Sequence, residues 1–267
     1  MGRTTRVAPQ RRHTLYFLRY ARHTAPVFLD TEVDMSAVEA HRDAAAAAGT
    51  RYSRLSYVLR SLVPVMERHP ECNAAVGTGL VPRLRHTPQV RPKIALDRRV
   101  DGVRIVLSAP LPDLRGADLD IVQAELERLK TIPVNGSSQF RGVRKLNRLP
   151  PRLGWWMFRA SMARLSARPQ LLGSVAVSSL GHSAVDGFHA VGGTPLTLNV
   201  GRVRPTPVAR GAEVRVAPVI RLNLAFDHRI VDGAEAADIL TEIKEELQAP
   251  EDRRDHRVLA GSEQDRR

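Results

Sequence analysis

Ile220, Leu222, Leu224 and Phe226 alternate with Arg221, Asn223 and Ala225, a period of two that predicts a strand with one buried and one solvated face. The period then changes. Ala236, Leu240, Ile243 and Leu247 recur at helical intervals, and Asp232 followed by Glu235 has the spacing of a capping box, so a helix is predicted over 233–248. Between them lies the turn that carries His228. Upstream, the same reading predicts an opening helix over 11–24, a strand over 26–34, an alanine-rich helix over 36–48, and a helix over 53–68 with Leu55, Val58, Leu59, Leu62 and Met66 on one side. Residues 94–107 alternate on both sides of Asp101-Gly102, the turn pair of a tight hairpin. A helix follows at 117–130, then a loop from Pro133 to Ser138, and the last third is mainly strands. Residues 1–9 read as a disordered basic tail and 250–267 as a disordered polar one, leaving 10–249 as a single folded domain.

Composition narrows the class. A chain of 267 residues with 43% apolar content can bury a sizeable core, and one α/β domain accounts for that length. Cys72 is the only cysteine, which excludes an intramolecular disulfide and a CxxC metal site and makes a reducing cytoplasm the natural setting. The N-terminus lacks the apolar stretch of a signal peptide, and no segment reaches the 18 apolar residues of a membrane span. The net charge of +13 raises nucleic acid as a partner, but arginines are scattered along the whole length and aromatics make up only 4%. A solvated arginine-rich surface is the preferred reading, with no nucleic acid among the expected partners.

The chemistry concentrates in Asp227-His228-Arg229-Ile230-Val231-Asp232-Gly233, where a His and an Asp stand four residues apart at a strand-to-helix turn. Taken by itself, this could be a turn histidine followed by a helix cap. The string resembles the DHRxxDG signature of the acyltransferases of 2-oxoacid dehydrogenase complexes, whose catalytic domain has a chloramphenicol acetyltransferase-like fold. A second segment, Val175-Ala176-Val177-Ser178-Ser179-Leu180-Gly181, is similar to that family's strand ending in Ser-(Ser/Asn)-Leu-Gly. Ala25 to Asp34, His69 to Ala74 and the hairpin extend the resemblance over about residues 10–249, which are thus expected to form one acyltransferase catalytic domain. The implied fold is a two-layer α/β one, a mixed central sheet with helices packed on it, in a trimer-forming chain.

The resemblance also implies roles. His228 is the general base, work that suits an imidazole. Ser178 donates a hydrogen bond to the tetrahedral oxyanion, and Asp232 holds the turn through an arginine, for which Arg12 is the candidate. Each active site lies between subunits, His from one chain meeting Ser from its neighbour, so a homotrimer is expected and a monomer is inactive. Acyl-CoA is the co-substrate, no cofactor or metal is bound, and the positive charge favours capture of its phosphates.

Two departures from the family pattern shape the expected function. A lipoyl domain is not seen ahead of the catalytic domain, so the acyl group is expected to arrive on a diffusible carrier. Residues 149–165, with Trp155 and Trp156, resemble the insert of stand-alone members; they read first as a helical packing element, and alternatively as an apolar lid for a lipophilic acceptor or a membrane-surface contact. The favoured expectation is a stand-alone enzyme moving an acetyl group from acetyl-CoA to the hydroxyl of a small molecule, as in tetronate-type natural-product biosynthesis. The alternative is a dihydrolipoyl acyltransferase core using a lipoyl domain supplied in trans, and a non-catalytic scaffold is the third. His182, Asp186 and His189 are expected to be surface loop residues rather than metal ligands, and Gly192-Gly193-Thr194-Pro195 a turn rather than a phosphate cradle.

Overall fold

The computed structural model of the chain describes residues 2–77 and 81–249, so the expected polar tail lies outside the described residues. Most of the predicted elements form within a few residues of their expected limits. Helix α1 (Arg12–Ala21) precedes strand β1 (Pro26–Asp34), followed by α2 (Ser36–Ala47) and α3 (Arg54–Arg68). Ser53 caps α3 by accepting from the Ser56 N–H, and its apolar stripe of Val58, Leu59, Leu62 and Met66 is buried. A short ribbon of β2 (Ala74–Val76) and β3 (Leu84–His86) leads to the hairpin β4 (Pro92–Val100) and β5 (Val103–Pro110). Asp101 and Gly102 both have positive φ, 49° and 77°, the backbone of a type I′ turn whose twist matches that of the strands it joins.

Helix α4 (Leu119–Thr131), capped by Asp118, is followed by α5 (Arg141–Arg148), which the sequence pattern did not predict, then by α6 (Pro151–Ala163) and α7 (Arg168–Leu172). Strands β6 (Val175–Ser179), β7 (Leu196–Arg210) and β8 (Glu213–Asp227) complete the sheet, and α8 (Gly233–Gln248) closes the fold. The six-stranded sheet runs β1-β8-β7-β6-β4-β5. It is mixed: β6 is parallel to both neighbours, and the remaining pairs are antiparallel.

One face of this sheet carries the main core. Leu222, Leu224 and Phe226 of β8, with Val175 and Val177 of β6, belong to a buried cluster that also takes in Leu59 and Leu62 of α3 and Ile239 and Ile243 of α8. The opposite face departs from the expected pattern. Asn223, Ala225 and Asp227 of β8 are also buried, because the connection between β6 and β7 folds back over them. Thr197 and Asn199 of β7 and Asn223 of β8 grip that loop through its backbone: Gly192 N–H donates to Thr197 (2.9 Å), Asn199 to the Ala190 carbonyl (3.1 Å), and Phe188 N–H to Asn223 (3.2 Å).

A satellite cluster joins α1 to α6. Tyr16, Phe158, Met162 and Leu172 are buried together, with Trp155 half-buried against Tyr16 and Phe158. Gly154 permits the close approach, since a Cβ there would lie 2.6 Å from the Tyr16 hydroxyl oxygen. The segment 149–165 is thus a packing element on its inner side, while Trp156 stays 68% exposed on the outer. Among the described residues, no helix is long and apolar enough to cross a membrane.

Candidate active site

His228 stands where β8 gives way to α8. Its N–H donates to the Ala25 carbonyl (2.9 Å), pinning the turn to the residue before β1, and its ring lies 5.6 Å from that of Phe226. The side chain remains about half exposed. Asp227 and Arg229, on either side of it, form a two-pronged ion pair in which Arg229 Nε donates to Asp227 at 2.8 Å. Asp227 also accepts from the backbone of Ala25 and Arg229. Burial works to raise the Asp227 pKa, but the Arg229 side-chain and backbone hydrogen bonds outweigh it and hold the carboxyl below the usual range. These two residues fix the turn, a role the sequence reading did not give them, although both lie in the string that drew attention to His228.

The expected partner of Asp232 requires correction. Arg12 turns to the carbonyls of Asn147 (3.0 Å) and Leu149 (2.9 Å), so it secures the α5–α6 junction rather than the His228 turn. Both carbonyls, presented by the end of α5, accept from the same terminal nitrogen of its guanidinium. Asp232 is 89% exposed, and its contact within the chain is with His228 Nδ1 at 3.5 Å. It occupies the N-cap position of α8 without a side-chain cap bond. The expected capping box also fails to form, because Glu235 is engaged with Cys72 and Glu71. Burial, then the neighbouring Glu71, raises the Glu235 pKa despite the Cys72 bond, while burial and Glu235 push up that of the Cys72 thiol. His69, Glu71 and Glu235 bring their ligand atoms within 4.8 Å of one another at the start of α8, and none of them bears on His228 directly.

Ser178 lies in β6 and is partly buried, and its hydroxyl makes no hydrogen bond within the described chain. Its register sets its distance from the imidazole. Ser178 pairs with Asn199, which pairs with Asn223, and His228 stands five residues further along β8. At a rise of about 3.3 Å per residue, that places the two some 17 Å apart along the strand direction, two strands removed from each other. One chain therefore does not bring Ser178 to its own His228. A shallow cleft opens beside the turn, lined in part by Tyr20, Asn73, Arg168, Asp227 and Arg229, but neither His228 nor Ser178 lines it.

His182, Asp186 and His189 do not converge: Asp186 pairs with Arg202 at 2.6 Å, and His189 lies edge-on to Phe28. Gly192 to Pro195 forms a turn whose Gly192 carbonyl accepts from Lys93. Lys93 is buried in β4, where its ammonium meets this carbonyl and lies 5.1 Å from the centre of the Phe17 ring. Burial lowers its pKa to about 8. Between about pH 8 and 10.5 the unfolded chain binds this proton more tightly than the folded one, so stability rises with pH in that window. Lys93→Met is expected to stabilise the fold by about 1–3 kcal/mol at pH 7 and to flatten that rise. Urea denaturation at pH 7 and pH 10 measures both, and an unchanged pH slope would reassign the effect to other groups.

This arrangement, a mixed sheet with the His turn at one end and the Ser strand at the other, is the fold of acyltransferase cores from 2-oxoacid dehydrogenase complexes. The dihydrolipoamide acetyltransferase of Azotobacter vinelandii superposes with a TM-score of 0.69 at 19% identity, covering 93% of this chain and 92% of that one. A probable dihydrolipoamide acetyltransferase from Listeria monocytogenes gives 0.68 at 14%, covering 94% and 95%. Sequence agrees with fold. The model for the 2-oxoacid dehydrogenases acyltransferase (catalytic domain) matches residues 159–253. The dihydrolipoyllysine-residue acetyltransferase component of the Staphylococcus aureus pyruvate dehydrogenase complex is 26% identical over 93% of the chain, and its Bacillus subtilis counterpart 25% over 86%. The chain is thus similar to the 2-oxoacid dehydrogenase acyltransferase catalytic domain, and the resemblance read from its sequence is borne out. It spans about half the length of these curated relatives, 52% and 47%.

Proposed function

We propose that the chain is an acyltransferase catalytic domain that moves an acyl group between coenzyme A and the thiol of a dihydrolipoyl group. The observation that carries this is His228, held by its own backbone at a strand-to-helix turn that the Asp227–Arg229 pair locks, with the imidazole left open to a substrate. A neutral imidazole there takes the proton of the attacking thiol as the thioester carbonyl is attacked. Negative charge then gathers on the carbonyl oxygen, where the unengaged Ser178 hydroxyl of a neighbouring subunit donates a hydrogen bond; one such donor is worth about 2.7–4 kcal/mol. Collapse expels the second thiolate, which recovers the proton from the imidazolium. No acyl-enzyme forms.

The separation of Ser178 from His228 within one chain supports the homotrimer, since a neighbour has to complete the site. In the Azotobacter enzyme the residues investigated for catalysis are a serine, a histidine and an asparagine four positions after it. Asp232 likewise stands four positions after His228, and an asparagine at that spacing does not titrate, which supports a positioning role. The expectation of a small-molecule hydroxyl acceptor gives way here. The relatives are named for dihydrolipoyl acceptors, which supports a thiol acceptor here.

Acceptor competition tests this reading. With acetyl-CoA as donor, free CoA released to dihydrolipoamide is expected to exceed that released to simple alcohols by at least about a hundredfold. A reversed preference would restore the O-acetyltransferase reading.

A further inference from the structure

The charge of this molecule is more segregated than the even scatter of its arginines suggests. Residues 1–29 hold six arginines and residues 132–185 eight basic side chains, with no Asp or Glu in either stretch. The other 184 residues are close to neutral, with 27 basic against 28 acidic. The fold brings both stretches together, since α1 packs on α5 and α6 through the Tyr16 and Phe158 cluster. Among the described residues, none of the fourteen cations forms an ion pair. Arg12, Arg144 and Arg168 turn inward to main-chain carbonyls, and the other eleven are exposed.

Apolar side chains project from the same module. The inner side of α6 is fixed by Gly154, Phe158 and Met162. Its outer side places Trp156, 68% exposed, and Leu153, 50% exposed, among Arg152, Arg159, Ala160 and Ala163. The alanines leave the indole standing clear of its neighbours. Beside it, the Arg19 guanidinium lies 4.4 Å from the centre of the Trp155 ring.

We propose that this face docks on an anionic phospholipid bilayer, with Trp156 and Leu153 entering the headgroup region and the surrounding arginines meeting lipid phosphates. Charge complementarity selects the occupant. The uncompensated arginines are spread over three helices and the N-terminal arm, which suits a plane of negative charge better than the confined acidic patch of a protein. A nucleic acid duplex would use the arginines but give the protruding Trp156 and Leu153 no apolar medium. The inference stands apart from the catalytic reading, because no residue in it touches His228 or Ser178.

The test is co-sedimentation of the full chain with vesicles of phosphatidylcholine containing phosphatidylglycerol, against phosphatidylcholine alone, with tryptophan emission recorded in parallel. Binding is expected only to the anionic vesicles, with a blue shift that Trp156→Ala removes although Trp155 remains. Each arginine near the surface contributes about fivefold, so Arg152→Glu with Arg159→Glu should weaken binding by more than tenfold. Far-UV circular dichroism and thermal unfolding confirm that the variants are folded. Equal binding to neutral vesicles, or unchanged binding by the double variant, overturns the proposal. So does retention on duplex DNA or polyglutamate, without vesicle binding, that Trp156→Ala leaves intact. A change in oligomeric size in the double variant, again without vesicle binding, would make this face a contact between copies.

Discussion

His228→Ala is expected to lower acyl transfer from acetyl-CoA to dihydrolipoamide by about 10²–10⁴-fold, the range for loss of a positioned general base. The loss should fall on kcat, because the imidazole acts on a proton and contributes little contact area to either substrate. The fold should survive. The His228 side chain is about half exposed, and what the turn takes from this residue is its N–H bond to the Ala25 carbonyl, which alanine keeps. The Asp227–Arg229 pair is likewise untouched. Chromatographic measurement of CoA release, with a thermal unfolding curve as control, checks both parts. Wild-type turnover in a folded His228→Ala protein would remove the imidazole from the mechanism.

A second result follows from the strand register. Ser178→Ala alone should lose about 10²–10³ in rate, yet mixing it with His228→Ala should recover activity. If each site draws His228 from one subunit and Ser178 from the next, a trimer holding both variants has one intact site. Co-refolding the two inactive proteins in equal amounts should then give about a quarter of wild-type activity, from random assortment in a closed ring of three. Mixing without unfolding should give nothing until subunits exchange. Persistently inactive hybrids would mean that the two residues serve the same chain after all, or that Ser178 belongs to packing.

The legible parts of the fold were those in which local pattern and tertiary burial agree. The α3 stripe, the Asp101-Gly102 turn, β1 and α8 were all marked by periodicity or turn chemistry that their final environment leaves unchanged. The candidate positions stood out because His228 and Asp232 lie in one short string and Ser178 lies near the end of a strongly apolar strand. What the pattern could not show was which polar groups meet. Asn223 reads as the solvated side of a strand, but the loop that buries it comes from another part of the chain. Arg12 faced a choice between a carboxylate and two carbonyls, and only the position of α5 decides it. Helix α5 escaped notice because it buries no residue of its own, which leaves little apolar period to detect.

The loop between β6 and β7 is fastened by side chains of the sheet to atoms of the loop's own backbone, at Phe188, Ala190 and Gly192. Anchoring is therefore separated from the identity of most loop side chains. Substitutions at Ser183, Ala184 or His189 can alter what the loop presents without releasing it, whereas Gly187 and Gly192 are fixed by the nearness of Asn223 and Ala176. Such a surface can diverge quickly among relatives while the framework beneath it stays the same, giving one scaffold room to acquire new selectivities without first losing its stability.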